Sequence, residues 1–278
     1  MGLVTKDDGW RIPDELWAQI QPMLPVHKTN HPLGCHRRRT DDRVAMNAIL
    51  FVLRTGCQWN ALNATGICSS SATHRRFLEW VEAGVFEQFW KGALRDYDAT
   101  RQIDWSWLSM DGAMTKAPLA GSKKPGANPT DRGKQGVKRS LLTDARGIPL
   151  AVTIDGANRH DMKLVRPTLE SLAARRPPPT KSAPQGMCLD KGYDYDEVLA
   201  LVEAFGFTAH IRGRGEEARA IRQEAGFKAR RWVVERTHSW LNRFRRILVR
   251  WEKRDDTYWA MLHFALGIIT WRATHLSG

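Results

Sequence analysis

Cysteine is scarce, with four in 278 residues. Cys35, Cys57, Cys68 and Cys188 form no CxxC pair and have no histidine at zinc-finger spacing, which speaks against a disulfide framework and a structural zinc and fits a reducing, cytoplasmic compartment. Long apolar runs are missing as well. Met1 to Trp10 is polar and lacks a signal-peptide core, and the longest candidate span, Met261 to Trp271, is too short and too interrupted to cross a bilayer. There is no nucleotide loop: Gly133-Lys134 ends like one, but Gln135 stands where Ser or Thr belongs and Asn128 where the first Gly belongs, so no nucleotide hydrolysis is implied. Neither an internal repeat nor a coiled-coil heptad is present. Acid is in deficit, with 30 Asp and Glu against 43 Lys and Arg, and the resulting charge of +13 points to a polyanionic partner, nucleic acid first.

The apolar content of 42% supplies an ordinary core, and the length suits one large domain with a small one beside it. Residues 10–95 read as helices. Ile12-Pro13-Asp14-Glu15 starts the first, and Pro22 and Pro25 end it. Thr40-Asp41-Asp42 caps a second, whose apolar positions run from Val44 to Leu53 and which Gly56 stops. Ser69-Ser70-Ser71 caps a third, carrying His74, Arg75, Arg76, Phe77 and Trp80; Gly84 breaks it before a fourth over Val85 to Leu94. Short helices with an Arg pair suit a helix-turn-helix-like DNA-binding unit; a helical cap that only packs on its neighbour stays open.

From residue 101 to 276 strands appear. Ile103 to Met110, Arg139 to Asp144 and Ile148 to Ile154 read as an antiparallel meander, with a Gly/Lys/Pro-rich loop, Ala120 to Gly136, after the first strand. A helix over Asp161 to Ala174, a strand over Met187 to Asp190, a helix over Asp194 to Phe205, a strand over Thr208 to Arg212 and two helices, Lys228 to Arg250 and Thr257 to Trp271, complete the order. The expected class is α/β, a mixed sheet with flanking helices, preceded by the small all-α N-terminal part. Most of the twelve tryptophans, such as Trp17, Trp240 and Trp259, fall on apolar helical faces and read as core.

Three carboxylates stand out. Asp111 closes the first strand run, Asp190 closes a later one, and Glu235 lies alone in a basic helix. Phosphoryl transfer needs an activated nucleophile and a neutralised leaving oxygen, and two divalent ions held by hard carboxylate oxygens supply both. Taken singly each residue has a plainer reading: a solvated turn for either Asp, an ion pair with Arg231 for Glu235. Asp161, after a strand and before a helix, reads as a helix cap or as a ligand in place of Asp190.

The segments Leu108-Ser109-Met110-Asp111-Gly112, Cys188-Leu189-Asp190-Lys191-Gly192-Tyr193-Asp194 and Arg231 to Leu241 resemble the three acidic signatures of bacterial insertion-element DDE transposases, the IS five family. Thr55-Gly56-Cys57-Gln58-Trp59, His74-Arg75-Arg76-Phe77, Asp131-Arg132-Gly133-Lys134 and Gly156 to Asp161 extend the likeness, which runs from about Leu16 to Trp271. The resemblance implies an RNase H-like fold with Asp111 on the first strand, Asp190 after the fourth and Glu235 on a late helix. It implies Mg²⁺, two ions with Mn²⁺ substituting, held by Asp111, Asp190 and Glu235. It also implies cleavage at inverted terminal repeats, followed by attack of a 3′-hydroxyl on target DNA. The chain departs from the signature at two places: Asn242 stands where a Lys or Arg follows the Glu by seven, with Arg243 next to it, and Lys228 replaces a Tyr.

Ten Lys and Arg between Lys228 and Arg254 face only Glu235 and Glu252, a local excess of +8 that phosphates would relieve. Arg75, Arg76, Lys134, Lys191, Arg231, Arg236, Arg243 and Arg246 are the residues expected to meet double-stranded DNA; a solvated basic face is the plainer reading. Pairing of two DNA ends suggests a homo-oligomer on DNA, in the cytoplasm and at the nucleoid. Two other classes remain: a DNA-binding relic that never cuts, and an RNase H-like nuclease that cuts without joining.

Overall fold

A computed structural model describes residues 9–27, 39–119, 125–211 and 232–275. Its helical half follows the caps in the sequence. Helix α1 (Asp14–Ile20) starts after Pro13 and passes through a 3₁₀ turn at Gln21–Met23. Helix α2 (Asp42–Thr55) is capped by the Asp41 carboxylate, which accepts the Val44 N–H at 3.0 Å, and stops at Gly56, whose φ of 70° is free to a residue without a Cβ. Helix α3 (Ser70–Glu82) takes Ser69 as its cap, and Gly84, at φ 68°, turns the chain into α4 (Val85–Arg101).

Helix α4 runs seven residues past the expected end at Leu94 and packs along the C-terminal helix α9 (Asp255–His275), with Arg101 at its end donating to the Thr274 carbonyl. Phe86 and Phe89 meet Phe264 with ring centroids 5.3 and 6.1 Å apart. Gly267 lets the two helices close up, since a Cβ there would meet the Phe89 ring at 2.4 Å. Each aromatic ring so buried stabilises by about 1.5–3 kcal/mol. One apolar core therefore runs from Ile12 through α4 and α9 into the sheet. Among the described residues no helix is long and apolar enough to cross a membrane.

The sheet consists of β1 (Trp107–Lys116), β2 (Gly126–Ala127), β3 (Gln135–Thr143), β4 (Pro149–Gly156), β5 (Gly186–Leu189) and β6 (Thr208–Ile211). Its order is β4-β3-β1-β5-β6, with the short β2 beside the start of β3. The first three long strands are antiparallel, and β5 and β6 join parallel to β1. Three antiparallel strands extended on one side by two parallel ones is the RNase H-like arrangement. Helix α5 (Met162–Glu170) packs on β3 and β4, α6 (Asp196–Ala204) on β6, and α7 (Trp232–Asn242) on β1 and β3.

Neighbouring strand residues point to opposite faces. Ser140 of β3 meets Thr168 of α5, while Arg139 meets Asn242 of α7, so α5 and α7 cover opposite faces of the sheet. With both faces covered, β3 is buried from Gly136 to Thr143.

Besides α4, other elements differ from the sequence reading: the expected loop Ala120 to Gly136 holds β2 and the start of β3, and the expected helix Asp161 to Ala174 ends at Glu170. Strand β1 begins at Trp107 and continues to Lys116, so Asp111 lies inside the strand; antiparallel pairing with β3 carries the chain onward through Gly112 to Lys116. The basic helix expected over Lys228 to Arg250 is two helices among the described residues, α7 and the short α8 (Arg245–Leu248). Phe244 adopts an extended ψ of 92° and turns inward, where it is buried, and that breaks the helix without Gly or Pro. Lys228, Arg230 and Arg231 lie outside the described residues.

Candidate active site

The parallel pairing of β1 with β5 ends at Ser109 opposite Cys188. Asp111 stands two residues beyond Ser109 within β1, and Asp190 two beyond Cys188, just past the end of β5, so the pairing brings both residues to the same end of the β1–β5 pair. Asp190 leaves the strand at once: its carboxylate accepts the N–H of Lys191 and starts a 3₁₀ turn over Lys191–Tyr193. Glu235 reaches the same region from α7, where it is exposed.

The charges of these acids act on one another. Asp111 is pushed up from 3.8 to about 6, first by burial, against a backbone hydrogen bond from Gly112, and then by the like charges of Glu235, Asp190 and Asp161. Tyr193, buried beneath them, is raised by burial and by Asp161, Asp111 and Asp190. Hard carboxylate oxygens are the donor set that Mg²⁺ and Mn²⁺ take, and a raised carboxylate among like charges is what a divalent cation relieves. Among the described residues, however, no three acidic, histidine or cysteine side chains stand close enough together to hold a metal ion as they are.

Asp161 stands at the expected cap position of α5, but its carboxylate is engaged elsewhere and makes no cap hydrogen bond. Instead Oδ2 pairs with the buried Lys138 at 2.9 Å, and Oδ1 lies over Gly112, where a Cβ would meet it at 2.2 Å. That places it on the α5 face, across β1 from the face that carries Asp111.

Among the described residues, side-chain hydrogen bonds fasten helix α7 to β1, to β3 and to the turn between β3 and β4. The His238 Nε2–H donates to the backbone carbonyl of Asp111 at 3.3 Å, and Arg139 Nη2 donates to Asn242 Oδ1 at 3.2 Å. Thr237 Oγ1 donates to the Gly147 carbonyl at 2.7 Å, and Arg236 to that of Arg146. Burial, and after it the Arg139 charge, pushes His238 down to about 3, so the ring is neutral. Neither His238 nor Arg139 was among the residues expected at the site. The available signals were slight: a histidine one turn after Glu235 and an arginine inside a strand run.

The eight basic residues expected to meet DNA fall into two groups and one remainder. Arg75, Lys134, Lys191 and Arg243 are exposed, with Lys191 paired to Asp194. Three others are engaged inside the protein. Arg76 is buried, paired with Asp42 at 2.7 Å and lying over Trp80. Arg246 is buried, with Glu252 at 2.5 Å and the Cys57 carbonyl at 3.0 Å. Arg236 is held between the Trp232 and Trp240 rings, 4.6 and 4.7 Å from their centroids. Arg231 lies outside the described residues.

Comparison with known proteins meets this geometry. Residues 12–90 match the family described as "Putative transposase of IS4/5 family (DUF4096)", and residues 103–268 match the "Transposase DDE domain" family. Among curated proteins, the chain is 35% identical over 158 residues to the "Putative transposase for insertion sequence element IS402" of Burkholderia cepacia, covering 54% of this chain and 70% of that one. It is 38% identical over 113 residues to the "Insertion element IS402 uncharacterized 16.2 kDa protein" of the same organism, covering 40% and 77%. Among solved structures, the Mos1 transposase catalytic domain with Raltegravir and Mn overlaps at 10% identity and a TM-score of 0.30, covering 69% of this chain and 94% of that one. The DDE domain match spans more than half of the chain and carries all three acids, Asp111, Asp190 and Glu235, on an RNase H-like sheet. The chain belongs to the DDE transposase family.

Proposed function

We propose that the protein cuts DNA at the inverted terminal repeats of an insertion element and joins the freed 3′-hydroxyl ends to target DNA. The observation that supports this reading is the strand pairing that brings Asp111 and Asp190 to the same end of β1 and β5, with the charges of Asp190 and Glu235 both acting on Asp111. These three residues would hold two Mg²⁺ ions, with Mn²⁺ as a substitute. When bound, such ions lower the pKa of the attacking water or hydroxyl and neutralise the leaving oxygen.

The chain's own residues do the rest. Asp111 sits inside β1, Asp190 directly follows β5 and Glu235 lies on a helix packed on the sheet, so the three carboxylates are carried by or next to rigid elements. Exposed Arg75, Lys134, Lys191 and Arg243 supply cations for the phosphate backbone, which they orient without reading sequence. Arg243, next to Asn242, takes the trailing basic place. Residues 10–95 act as the DNA-binding part and 101–276 as the catalytic part, working as a homo-oligomer on paired DNA ends in the cytoplasm and at the nucleoid.

The test is a nicking and joining assay on terminal-repeat DNA with and without Mg²⁺. Asp111→Asn, Asp190→Asn and Glu235→Gln should each abolish cleavage while DNA binding persists, because ligands are lost and phosphate contacts are kept. Cleavage retained by any one of them rejects that residue's assignment. A wild-type protein that shifts DNA without cutting it is a binder only, and one that cuts without joining is a nuclease.

A further inference from the structure

Glu235, His238 and Asn242 lie at positions i, i+3 and i+7 of α7, a single stripe along the helix. The lower two members touch the sheet: His238 reaches the Asp111 carbonyl, and Asn242 accepts from Arg139. Arg139 belongs to β3 and sits opposite Ala113 of β1, two residues from Asp111 and on the same face. It is only 2% exposed, and its Nε and Nη1 have no hydrogen-bond partner among the described residues. A side chain so buried does not reach a phosphate, and among the described residues its hydrogen bond goes to the amide at the foot of the Glu235 helix.

Building on the proposed function, we infer that Arg139 and His238 are positioning residues of the cleavage reaction: together they fix the rotation and height of α7 so that Glu235 faces Asp111. Thr237 and Arg236 hold the helix to the turn between β3 and β4, and the His238 and Asn242 contacts are the ones that reach the strands beside Asp111. His238 ties it to the very residue that Glu235 must face, and Arg139 with Asn242 ties it one turn further on. One residue of slippage would turn Glu235 by about 100° away from the strand edge. The amide at 242 fits this part, because its oxygen takes an N–H from a buried guanidinium where a Lys or Arg would bring a second cation.

The test uses the full chain and Mn²⁺ alone as the probe. Asn242→Leu and His238→Ala remove the two contacts; Asn242→Asp and His238→Gln return an acceptor and a donor to the same places. Two quantities are measured: the Mn²⁺ concentration that half-saturates single-turnover nicking, and the one that half-saturates the rise in melting temperature in the absence of DNA. Loss of a group that orients a metal ligand weakens metal affinity by about 10–100-fold. Asn242→Leu and His238→Ala should raise both concentrations by about that factor, and the conservative variants should recover most of it, with DNA mobility shifts unchanged throughout.

A wild-type Mn²⁺ requirement in both Asn242→Leu and His238→Ala overturns the inference. So does a conservative variant that melts like the wild type yet stays as impaired as its apolar counterpart. Asp111→Asn separates the two levels. If it still nicks and still gains stability from Mn²⁺, the reading of the site fails and the inference falls with it; if it does neither while Asn242→Leu and His238→Ala behave as wild type, only the inference fails.

Discussion

Asp111→Asn should cost all cleavage and yet make the metal-free protein more stable. The folded carboxyl titrates at about 6 and the unfolded one at 3.8, so the folded state binds the proton more tightly. An acid raised in this way gives the folded state an advantage only while it is protonated. Below about pH 4 both states carry the proton and nothing is lost; between pH 4 and 6 the unfolded state ionises first, and stability falls as pH rises. Above pH 6 the loss is complete, and a shift of about 2.2 units at 1.36 kcal/mol each makes it about 3 kcal/mol. Asn keeps an oxygen to accept the Gly112 bond and carries no charge. Urea melts in EDTA from pH 4 to 8 should therefore show Asp111→Asn more stable by about 3 kcal/mol at pH 7 and equal to wild type at pH 4, with unchanged slopes. Mg²⁺ at about a hundred times its Kd should return about 2.7 kcal/mol to the wild type and nothing to the variant. A variant no more stable at pH 7, or equally stabilised at pH 4, would refute the account of this carboxyl.

Three further outcomes follow from the same geometry. Asn242→Lys restores the signature residue but sets a second cation against buried Arg139, so cleavage should fall by about tenfold or more; faster cleavage would contradict the placement. Arg246→Met leaves the buried Glu252 without its partner and should cost about 3–5 kcal/mol in a denaturant melt, while Arg246→Met with Glu252→Leu should recover most of it. If the single variant melts as wild type and instead loses DNA affinity, Arg246 is a phosphate contact after all. Gly112→Ala drives a Cβ into Asp161 Oδ1, and the strain should cost about 1–3 kcal/mol; a wild-type melt would show that Asp161 can swing clear.

Much of this was legible in the residues. Asp41, Gly56, Ser69 and Gly84 mark helix ends by local chemistry, and each does so in the structure. The order of strands and helices gave the sheet class because apolar periodicity distinguishes the two. Local chemistry does not show what distant segments impose. The extension of β1 past Asp111 depends on β3, and Gly112-Ala113-Met114 has little strand character of its own. The break at Phe244 depends on a buried ring, hidden in a run of arginines. His238 and Arg139 find their partners 127 and 103 residues away along the chain, a separation at which composition and periodicity carry no information. Arg76 and Arg246 show the same limit from the other side, since a basic residue reads alike whether it faces solvent or a buried acid.

The central claim is that Asp111, Asp190 and Glu235 serve one cation site. Anomalous scattering from crystals of the wild-type protein soaked in Mn²⁺ tests it most directly. The account predicts manganese held by Asp111, Asp190 and Glu235, and lost in Asp111→Asn. Manganese bound elsewhere, or on Asp161 with Asp190 and Glu235 left bare, would contradict it.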